Sequence, residues 1–410
     1  MKKLLMTSVA LGGLALAATP AHAEIELEVG GYFKGYMAWV DQDEATDFST
    51  NDFDMIRDTE IHFGGETTLD NGLTVGAHFE TAADGDDGLG IDESYVYFSG
   101  DWGRLNVGTE DEAAYLLQVA APSADSNIDG LRQFVQPVNY EAMTGGFSGT
   151  FIDPSGVGGV GIGLDYDQDI IGKSDNLTYL SPVINGFQGG VTFAPDFGPA
   201  SSFEGIGIDH TDTAPSDSLS DSDEVFGRGY SIAARYEGEF NNVELIFGGG
   251  WSLVELEDKR TAAELAALSA GDFAYTDDMT AWNLGLDVGV GPFGIGVNYS
   301  QTDRGDIVEG TATAATTDVS DKEKVLVVGA DYTTGPFKVG ASWYKNDNTL
   351  GVKDLDTDRY SGGVTYEYGP GMSFRGSIFY VDHDNTDTAL GTSKSSLDAT
   401  GIVLGTHIEF

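Results

Sequence analysis

The sequence has no cysteine and few basic residues. The absence of cysteine excludes a disulfide framework, a thiolate zinc site and a cysteine nucleophile. Lysine and arginine number 20 against 67 acidic residues, which gives a formal net charge of −47. This charge argues against nucleic acid or an anionic membrane surface as a partner, because both require a basic face. The 22 phenylalanines, 18 tyrosines and 5 tryptophans argue against a disordered acidic chain, which would lack them.

Long apolar runs are also scarce, and the one near the start has the pattern of an export signal. Lysines at positions 2 and 3 precede an apolar stretch over 4–18, and the tripeptide at 21–23 reads Ala-x-Ala, a cleavage pattern. We therefore expect a cleaved signal peptide over 1–23 and a mature chain over 24–410. The alternative, a transmembrane anchor, is disfavoured because a spanning helix needs about 20 apolar residues. No later run approaches that length.

The rest of the chain alternates with a period of two. In the last segment the more apolar face carries Ile402, Leu404, Thr406, Ile408 and Phe410. The same alternation recurs over 282–290, 293–300, 337–343 and 374–380. Segments of about ten alternating residues are what a membrane barrel requires, because every backbone group pairs between strands while apolar side chains point outward. The pattern therefore predicts an all-β fold, a transmembrane antiparallel β-barrel.

Short turns and long polar segments alternate along the chain. The short turns lie at 70–72, 100–103, 185–186, 241–242, 291–292, 335–336 and 369–371, and they are rich in Asn, Asp, Gly and Pro. The long segments are 41–54, 83–90, 110–174, 196–226, 255–278, 304–322, 347–357 and 383–398. Seven turns and eight loops join sixteen strands and leave both chain ends on the short-turn side. If 110–174 holds another hairpin, the count becomes eighteen.

A soluble β-sandwich or β-solenoid would alternate in the same way. Three features count against it. Aromatic residues cluster at strand ends, as in Tyr95, Tyr97, Tyr366, Tyr368 and Phe410. The outward faces are almost free of charge, and the chain shows no solenoid period.

Three stretches resemble the general porins of Gram-negative bacteria, of the proteobacterial type that ends in phenylalanine. They are IDESYVYF at 91–98 followed by WGRLNVG at 102–108, NLTYLSPV at 176–183 followed by Gly186 and Phe187, and the closing strand 401–410. The resemblance implies a homotrimeric outer-membrane channel with periplasmic turns, external loops and a third loop, 110–174, folded into the lumen. It also implies outer-membrane lipid and lipopolysaccharide as partners, with Phe410 as the signal read by the barrel-assembly machinery. The Pro-Glu-Phe-Gly-Gly constriction motif of the enterobacterial members is absent from 110–174.

The third loop opens with a run of acids. Thr109 at the N-cap and Glu112 at the third helical position have the spacing of a capping box, which predicts a short helix that continues through residues 113–117. Acids in a first helical turn suit the helix dipole, so capping alone is one interpretation. The other places acids of this loop at the pore constriction; the candidates are Glu110, Asp111, Glu112, Asp125 and Asp129. A second capping box, Thr261 with Glu264, predicts a small helix in an outer loop.

Bases are expected opposite these acids, on inward positions of the barrel wall. By alternation the candidates are Lys34, Arg104, Arg235, Lys338, Arg359 and Arg375. Each could instead form a lumen ion pair or a subunit contact. A transverse field between acids and bases would select permeants by charge and dipole.

The predicted external loops are strongly acidic. Segment 41–54 holds six acids and no base, and segment 196–226 holds eight acids and neither lysine nor arginine. One interpretation is that these loops are solvated and repel one another. A second is that they bind Ca²⁺ weakly and so bridge loops or lipopolysaccharide. A third is that their negative charge concentrates cations at the mouth of the channel. Residues 84–88, DGDDG, form the densest candidate for Ca²⁺. We expect a preference for cations.

Other motifs carry no chemistry. The glycines at 156, 158 and 161 match the dinucleotide fingerprint by letters but open no helix, and the chain has neither H-E-x-x-H nor G-x-S-x-G. The histidines look scattered, so no metal site and no catalytic residue are predicted. We therefore expect a passive channel for ions and small hydrophilic solutes, without a cofactor. The alternatives are a substrate-selective channel, an outer-membrane hydrolase and an adhesin or structural envelope protein.

Overall fold

The computed structural model describes residues 26–83, 90–124, 128–133, 135–144, 164–197, 225–257, 259–268, 273–310, 316–318, 320–389 and 392–410. Residues 1–25 lie outside this set, as do the 84–88 segment and the glycines at 156, 158 and 161. Within the described part, sixteen antiparallel strands form one closed barrel, as the alternation predicts.

The barrel strands are long and follow one another in chain order. They are β1 (Glu26–Gln42), β2 (Phe53–Thr68), β3 (Thr74–Ala82), β4 (Gly90–Gly100), β5 (Gly103–Thr109), β8 (Asp175–Leu180), β9 (Phe187–Ala194), β10 (Phe226–Phe240), β11 (Val243–Leu256), β13 (Met279–Val290), β14 (Phe293–Asp303), β17 (Glu323–Thr334), β18 (Phe337–Asp347), β19 (Asp356–Gly369), β20 (Met372–Asp384) and β21 (Ser396–Glu409). The barrel closes where β1 pairs with β21, from Tyr32 opposite Glu409 to Gln42 opposite Ala399.

Five further strands lie in the loops. These are β6 (Ile128–Asp129), β7 (Arg132–Gln133), β12 (Phe273–Tyr275), β15 (Ile307–Gly310) and β16 (Thr316–Asp318). β6 pairs with β7 in a two-stranded hairpin of its own, and β12, β15 and β16 form a separate small sheet. The third loop therefore adds no strand to the barrel in its described part, which decides for sixteen strands over eighteen.

Helical segments are short and also lie in the loops. They are α1 (Ala113–Leu116), α2 (Tyr140–Thr144), α3 (Ala262–Leu265), α4 (Thr386–Ala389) and a 3₁₀ turn over Thr349–Gly351. No helix among the described residues has the length and apolar character needed to cross a membrane.

The turns fall where their residues predict. Asn241 and Asn242 have φ of 51° and 61° and form a two-residue turn that leaves Phe240 paired with Val243. Positive φ at both positions is the geometry that matches the twist of a hairpin, and asparagine tolerates it. The strand boundaries confirm the predicted alternation of short turns with long loops. The residues of each short turn determine its geometry locally.

The outer face of the barrel is apolar between two belts of aromatic side chains. On β14, Phe293 and Ile295 point outward and are 61% and 58% exposed, whereas Asn298 points inward and is buried. Pairs at the short-turn end include Phe293 with Tyr332 and Phe337 with Tyr366, and pairs at the long-loop end include Trp282 with Tyr299 and Trp343 with Tyr360. This distribution is typical of an apolar band bounded by interfacial girdles.

The buried core lies inside the barrel and at its long-loop end. One cluster joins inward residues of β1, β17, β18, β20 and β21 to the third loop, including Tyr140, Met143 and Tyr166 of that loop. A second cluster joins the loop-side ends of β9, β10, β11 and β13 to residues of several loops, around Phe226, Met279 and Leu355. The third loop is thus packed against the wall by apolar contacts.

Candidate functional site

Residues 113–124 of the third loop follow a track of glycines on the inner face of the barrel. A Cβ atom at Gly329 would lie 1.8 Å from the carbonyl oxygen of Pro122, and one at Gly363 would lie 2.2 Å from that of Ala124. Gly190, Gly248, Gly250, Gly285, Gly296 and Gly340 approach the same segment closely. Because several of these neighbours are backbone atoms that cannot move aside cheaply, glycine at these wall positions admits the loop.

Small polar side chains of the wall bind the loop backbone. The hydroxyl of Thr192 accepts a hydrogen bond of 2.8 Å from the amide of Ala113, and the hydroxyl of Ser231 accepts one of 3.0 Å from Ala114. Farther along, the Asn298 side chain donates to the carbonyl oxygen of Val119 at 2.8 Å. These contacts satisfy polar backbone groups that would otherwise be buried without a partner.

The predicted capping box at Thr109 is wrong. Thr109 is the last residue of β5, and its hydroxyl donates to Asp175 at 2.9 Å. The N-cap of α1 is Glu112, which makes no side-chain cap. The physical reason is that pairing with Ser94 and Asp175 holds the backbone of Thr109 extended in β5. Hydroxyls of the wall satisfy the first amides of α1 instead.

Glu112 bridges two parts of the third loop to the wall. It is fully buried, and one carboxylate oxygen accepts from the amide of Ile170 at 3.1 Å. The other oxygen accepts from the hydroxyl of Ser252 on β11. Burial raises the pKa of Glu112 to about 7, against the opposing effect of these hydrogen bonds.

Glu110 and Asp111 lie beside it on the same inner face. Burial raises the pKa of Glu110 to about 7, although Arg104 and a hydrogen bond from Asn106 favour its ionised form. Burial also raises the pKa of Asp111, and Lys173 opposes that shift. Of the predicted constriction acids, Glu110 therefore lies near Arg104 and Asp111 near Lys173 and Arg132, whereas the partners of Glu112 are hydroxyl and amide groups.

Two bases in the third loop escaped the sequence analysis. Lys173 forms ion pairs with Asp92 and with Glu93 of β4, the latter at 3.3 Å. Arg132 on β7 forms ion pairs with Asp167 at 2.9 Å and Asp169 at 3.5 Å. Their position could not be read from alternation, because neither lies on a barrel strand.

Arg132 faces a cleft between the loop and the wall. The cleft has a volume of about 380 Å³, and its lining includes Tyr115, Gln118, Arg235 and Asp287. Arg235, one of the predicted wall bases, points into this cleft and lies 3.4 Å from a carboxylate oxygen of Glu237. The lining of the cleft thus carries charges of both signs, from Arg132, Arg235 and Asp287.

The other predicted wall bases also take inward positions. Arg104 donates to Asn106 at 2.7 Å and lies 4.0 Å from the ring centre of Tyr97. Lys338 forms an ion pair of 2.9 Å with Asp331 toward the short-turn end.

Lys34, Arg375 and Arg359 occupy the side of the wall near the barrel closure. The Lys34 ammonium lies 4.2 Å from the ring centre of Tyr32. Arg375 lies 2.8 Å from Nδ1 of His407. Arg359 is buried beside Tyr344, a member of the apolar cluster that contacts the third loop, and it is not part of the lining of the cleft.

Two predicted acids cannot be placed by their side chains. Asp125 lies outside the described residues, and of Asp129 the backbone alone is described, in β6.

The second capping box is confirmed. The hydroxyl of Thr261 accepts a hydrogen bond from the amide of Glu264, and the carboxylate of Glu264 accepts one of 2.6 Å from the amide of Thr261.

The inner wall also brings together two histidines that look scattered in the sequence, beside glutamates. Ligand atoms of His62, His78 and Glu80 lie within 4.8 Å of one another. Their pairing follows from the register of β2 with β3, in which His62 lies opposite Glu80. Residue types of this kind can bind a metal ion.

Comparisons with known proteins agree with this architecture. A model of the Gram-negative porin family matches residues 8–388. The search among curated proteins found no match.

Solved porin structures share the fold at low identity. An anion-selective porin from Comamonas acidovorans is 15% identical with a TM-score of 0.53, covering 94% of this chain and 100% of that chain. OmpT of Vibrio cholerae lacking loop L8 is 12% identical with a TM-score of 0.53, covering 94% and 99%. OmpF of Salmonella typhi in complex with daunomycin is 15% identical with a TM-score of 0.52, covering 94% and 97%.

The family model spans nearly the whole chain, and the closed sixteen-stranded barrel is the architecture of the solved porins. The family and the fold point to a channel rather than an enzyme. The chain therefore belongs to the Gram-negative porin family, and it is an outer-membrane porin.

Proposed function

We propose that the protein forms a water-filled channel for the passive diffusion of ions and small hydrophilic solutes. The observation that carries this is the polar inner face of the barrel, where the loop and the wall leave a charged cleft lined by Arg132, Arg235 and Asp287. Diffusion down a gradient needs a wet passage and a constriction, and no proton relay or covalent step.

The constriction is proposed to lie where the third loop crosses the inner wall. Glu110, Asp111 and Glu112 stand on the loop, and Arg104 stands on the wall beside them. The remaining proposed members are Asp125, Asp129, Lys34, Arg235, Lys338, Arg359 and Arg375. The field between acids and bases would act on the charge and dipole of a permeant.

A preference for cations is proposed from the acidic external loops 41–54 and 196–226, together with the excess of acids around the constriction. Asp92, Glu93, Asp167 and Asp169 stand beside the loop acids, and Lys173 and Arg132 are their partners in ion pairs. The fold alone does not decide whether a porin prefers cations or anions, since one structural neighbour is named an anion-selective porin. A KCl gradient across a planar bilayer tests the sign: the zero-current potential should favour K⁺, and a zero or chloride-favouring potential would refute the preference.

Passive diffusion of solutes is tested by liposome swelling. Liposomes that contain the folded protein should swell in iso-osmotic solutions of small sugars, at rates that fall as the sugar becomes larger. Equal rates for empty and protein-containing liposomes would contradict the proposal. Swelling with a single sugar and no other would indicate a substrate-selective channel.

Export and assembly are proposed as the family implies them. Residues 1–23 would be cleaved on export, and the mature barrel would form a homotrimer in contact with outer-membrane lipid and lipopolysaccharide. Phe410 would be the signal for the barrel-assembly machinery; its backbone pairs with Gly31 at the short-turn end, and its side chain is exposed. Weak Ca²⁺ binding at the acidic external loops stays a proposal, and its densest candidate, 84–88, lies outside the described residues.

A further inference from the structure

We propose that His62, His78 and Glu80, with Glu60 beside them, form a binding site for a divalent transition-metal ion of the Zn²⁺ class on the inner wall of the barrel. This inference goes beyond channel function, because it assigns a ligand to a fixed place in the lumen.

The distances between the ligand atoms suit one ion. Nε2 of His62 lies 3.8 Å from Oε1 of Glu80 and 3.3 Å from Oε2 of Glu60, and Nε2 of His78 lies 2.7 Å from Oε1 of Glu80. Ligands bound tetrahedrally at about 2.0–2.2 Å from Zn²⁺ are separated by roughly 3.3–3.6 Å. Ligand atoms of His62, His78 and Glu80 all lie within 4.8 Å of one another, so small changes of side-chain rotamer would bring these three groups around one ion, with Glu60 next to His62.

The two strands hold these groups rigidly. Glu60 and His62 are two residues apart on β2, and His78 and Glu80 are two residues apart on β3, so both pairs point inward. The register places His62 directly opposite Glu80, which fixes the cross-strand spacing. Sites built on paired strands keep their geometry better than sites built on loops.

The Nε2 atom of His62 points at two carboxylates of the cluster. It is buried and lies 3.3 Å from Oε2 of Glu60 and 3.8 Å from Oε1 of Glu80. A metal ion bound between this nitrogen and the two carboxylates would replace their ion pairing with bonds to one cation.

Aromatic rings lie beside the two histidines, and a hydrated ion can reach them from the lumen. The Tyr32 ring stands edge-on to His62 at 6.2 Å, and the Tyr95 ring lies 5.3 Å from His78. The side chains of His62 and His78 are 30% and 26% exposed, so a hydrated ion could enter from the lumen. Asp92 lies close enough to Glu60 and Glu80 to supply a further carboxylate, although it is paired with Lys173.

The ligand types select the ion. Two imidazoles with carboxylates favour Zn²⁺ and neighbouring first-row ions, whereas Ca²⁺ and Mg²⁺ prefer oxygen ligands alone. A cluster of acids without histidine would not make this distinction. Selectivity for Zn²⁺ over Ca²⁺ therefore depends on His62 and His78.

The test measures Zn²⁺ binding by the refolded, untagged full-length mature protein in detergent micelles. Isothermal titration with Zn²⁺ should show a saturable site that excess Ca²⁺ does not displace. H62A or H78A should weaken the Zn²⁺ affinity by about tenfold or more, since loss of even an outer-shell partner has an effect of that order. The matched control is His407→Ala, which removes another imidazole from the same inner wall and should leave Zn²⁺ binding unchanged.

X-ray absorption at the zinc edge identifies the ligands directly. The wild-type spectrum should contain scattering from two imidazoles, and the His62→Ala/His78→Ala variant should lose it. Zn²⁺ affinity that is equal in wild type and this variant, or Zn²⁺ that Ca²⁺ displaces at equal concentration, would overturn the proposal. Heat-modifiable mobility on gels shows that each variant is folded, and none of these readouts depends on channel conductance.

Discussion

At the scale of single residues, Glu112 joins separate parts of the molecule through one carboxylate. It accepts hydrogen bonds from Ile170 in the returning part of the third loop and from Ser252 on the wall. Loss of an acceptor leaves buried donors unpaired, which costs more than the hydrogen bond itself stabilises. This side chain should therefore hold the loop in place.

Glu112→Ala should lower the free energy of unfolding by about 1–3 kcal/mol, because it strands the amide of Ile170 and the hydroxyl of Ser252. Glu112→Gln keeps the volume of the side chain and one oxygen that accepts hydrogen bonds, so it should lower the free energy of unfolding by less. Guanidinium unfolding in micelles, followed by tryptophan fluorescence, measures both. Equal stability of Glu112→Ala and wild type would show that these contacts do not support the fold.

The pKa of Glu110 predicts a pH-dependent selectivity. Burial raises this pKa to about 7, so the carboxyl is protonated at pH 5 and ionised at pH 8. The ratio of K⁺ to Cl⁻ permeability should therefore rise from pH 5 to pH 8, with a midpoint near 7. Glu110→Gln should reduce the size of this rise. A ratio that is constant above pH 5 and falls only at lower pH would contradict the assignment.

The sequence predicts inward side chains better than it predicts their neighbours. Alternation placed Lys34, Arg104 and Arg375 on the inner face, because a period of two depends on local residues alone. The proximity of His62 to Glu80 depends on strand register, which the turn at 69–73 sets. The spacing of the histidines in the sequence matches no metal-binding motif, so the pair becomes visible only when the register of β2 with β3 is known.

At the scale of elements, two segments with the same Thr-x-x-Glu spacing behave differently. Thr261 lies in an exposed loop and forms the complete capping box with Glu264. Thr109 is the last residue of β5, and its hydroxyl donates a hydrogen bond to the carboxylate of Asp175. The spacing predicts a cap where the backbone is free to adopt it, and it fails where sheet pairing holds the backbone extended.

The path of the third loop could not be read from local sequence. Its backbone is held by residues far along the chain. The amide of Ala113 donates a hydrogen bond to the hydroxyl of Thr192, and the carbonyl oxygen of Val119 accepts one from the Asn298 side chain. The glycines of the track looked like ordinary strand glycines. Their role becomes visible when the loop is seen passing within contact distance of the wall.

Gly329→Ala should displace the third loop from the wall. The new Cβ would collide with the carbonyl oxygen of Pro122, which is backbone and cannot move alone. We expect a folded barrel with changed single-channel conductance and faster proteolysis of the loop.

The matched control for this prediction is Gly369→Ala. No atom lies within 4 Å of the position that its Cβ would take. This variant should conduct as wild type does. Unchanged conductance and proteolysis in Gly329→Ala would mean that the loop does not depend on the track.

At the scale of the whole molecule, the net charge of −47 acts together with the apolar outer face. The outward faces are nearly free of charge, so the acids are concentrated in the loops and on the inner wall. Such a distribution suits a barrel whose outside meets hydrocarbon and whose inside meets water. The turn pattern predicted its strand count correctly because each turn is defined by its own residues.

Salt should weaken the preference for cations. The Debye length falls from about 10 Å at 0.1 M to about 3 Å at 1 M, which screens the loop acids from ions at the mouth. The ratio of K⁺ to Cl⁻ permeability, taken from zero-current potentials at a fixed gradient ratio, should decrease over this range. A ratio independent of salt would place the selectivity at short range, inside the constriction alone.

Single-channel recording of the refolded protein in planar bilayers tests most directly whether the barrel encloses a water-filled passage. Addition of folded protein should give discrete, ohmic current steps that grow with KCl concentration. Folded protein that inserts into the bilayer and passes no current would contradict the account.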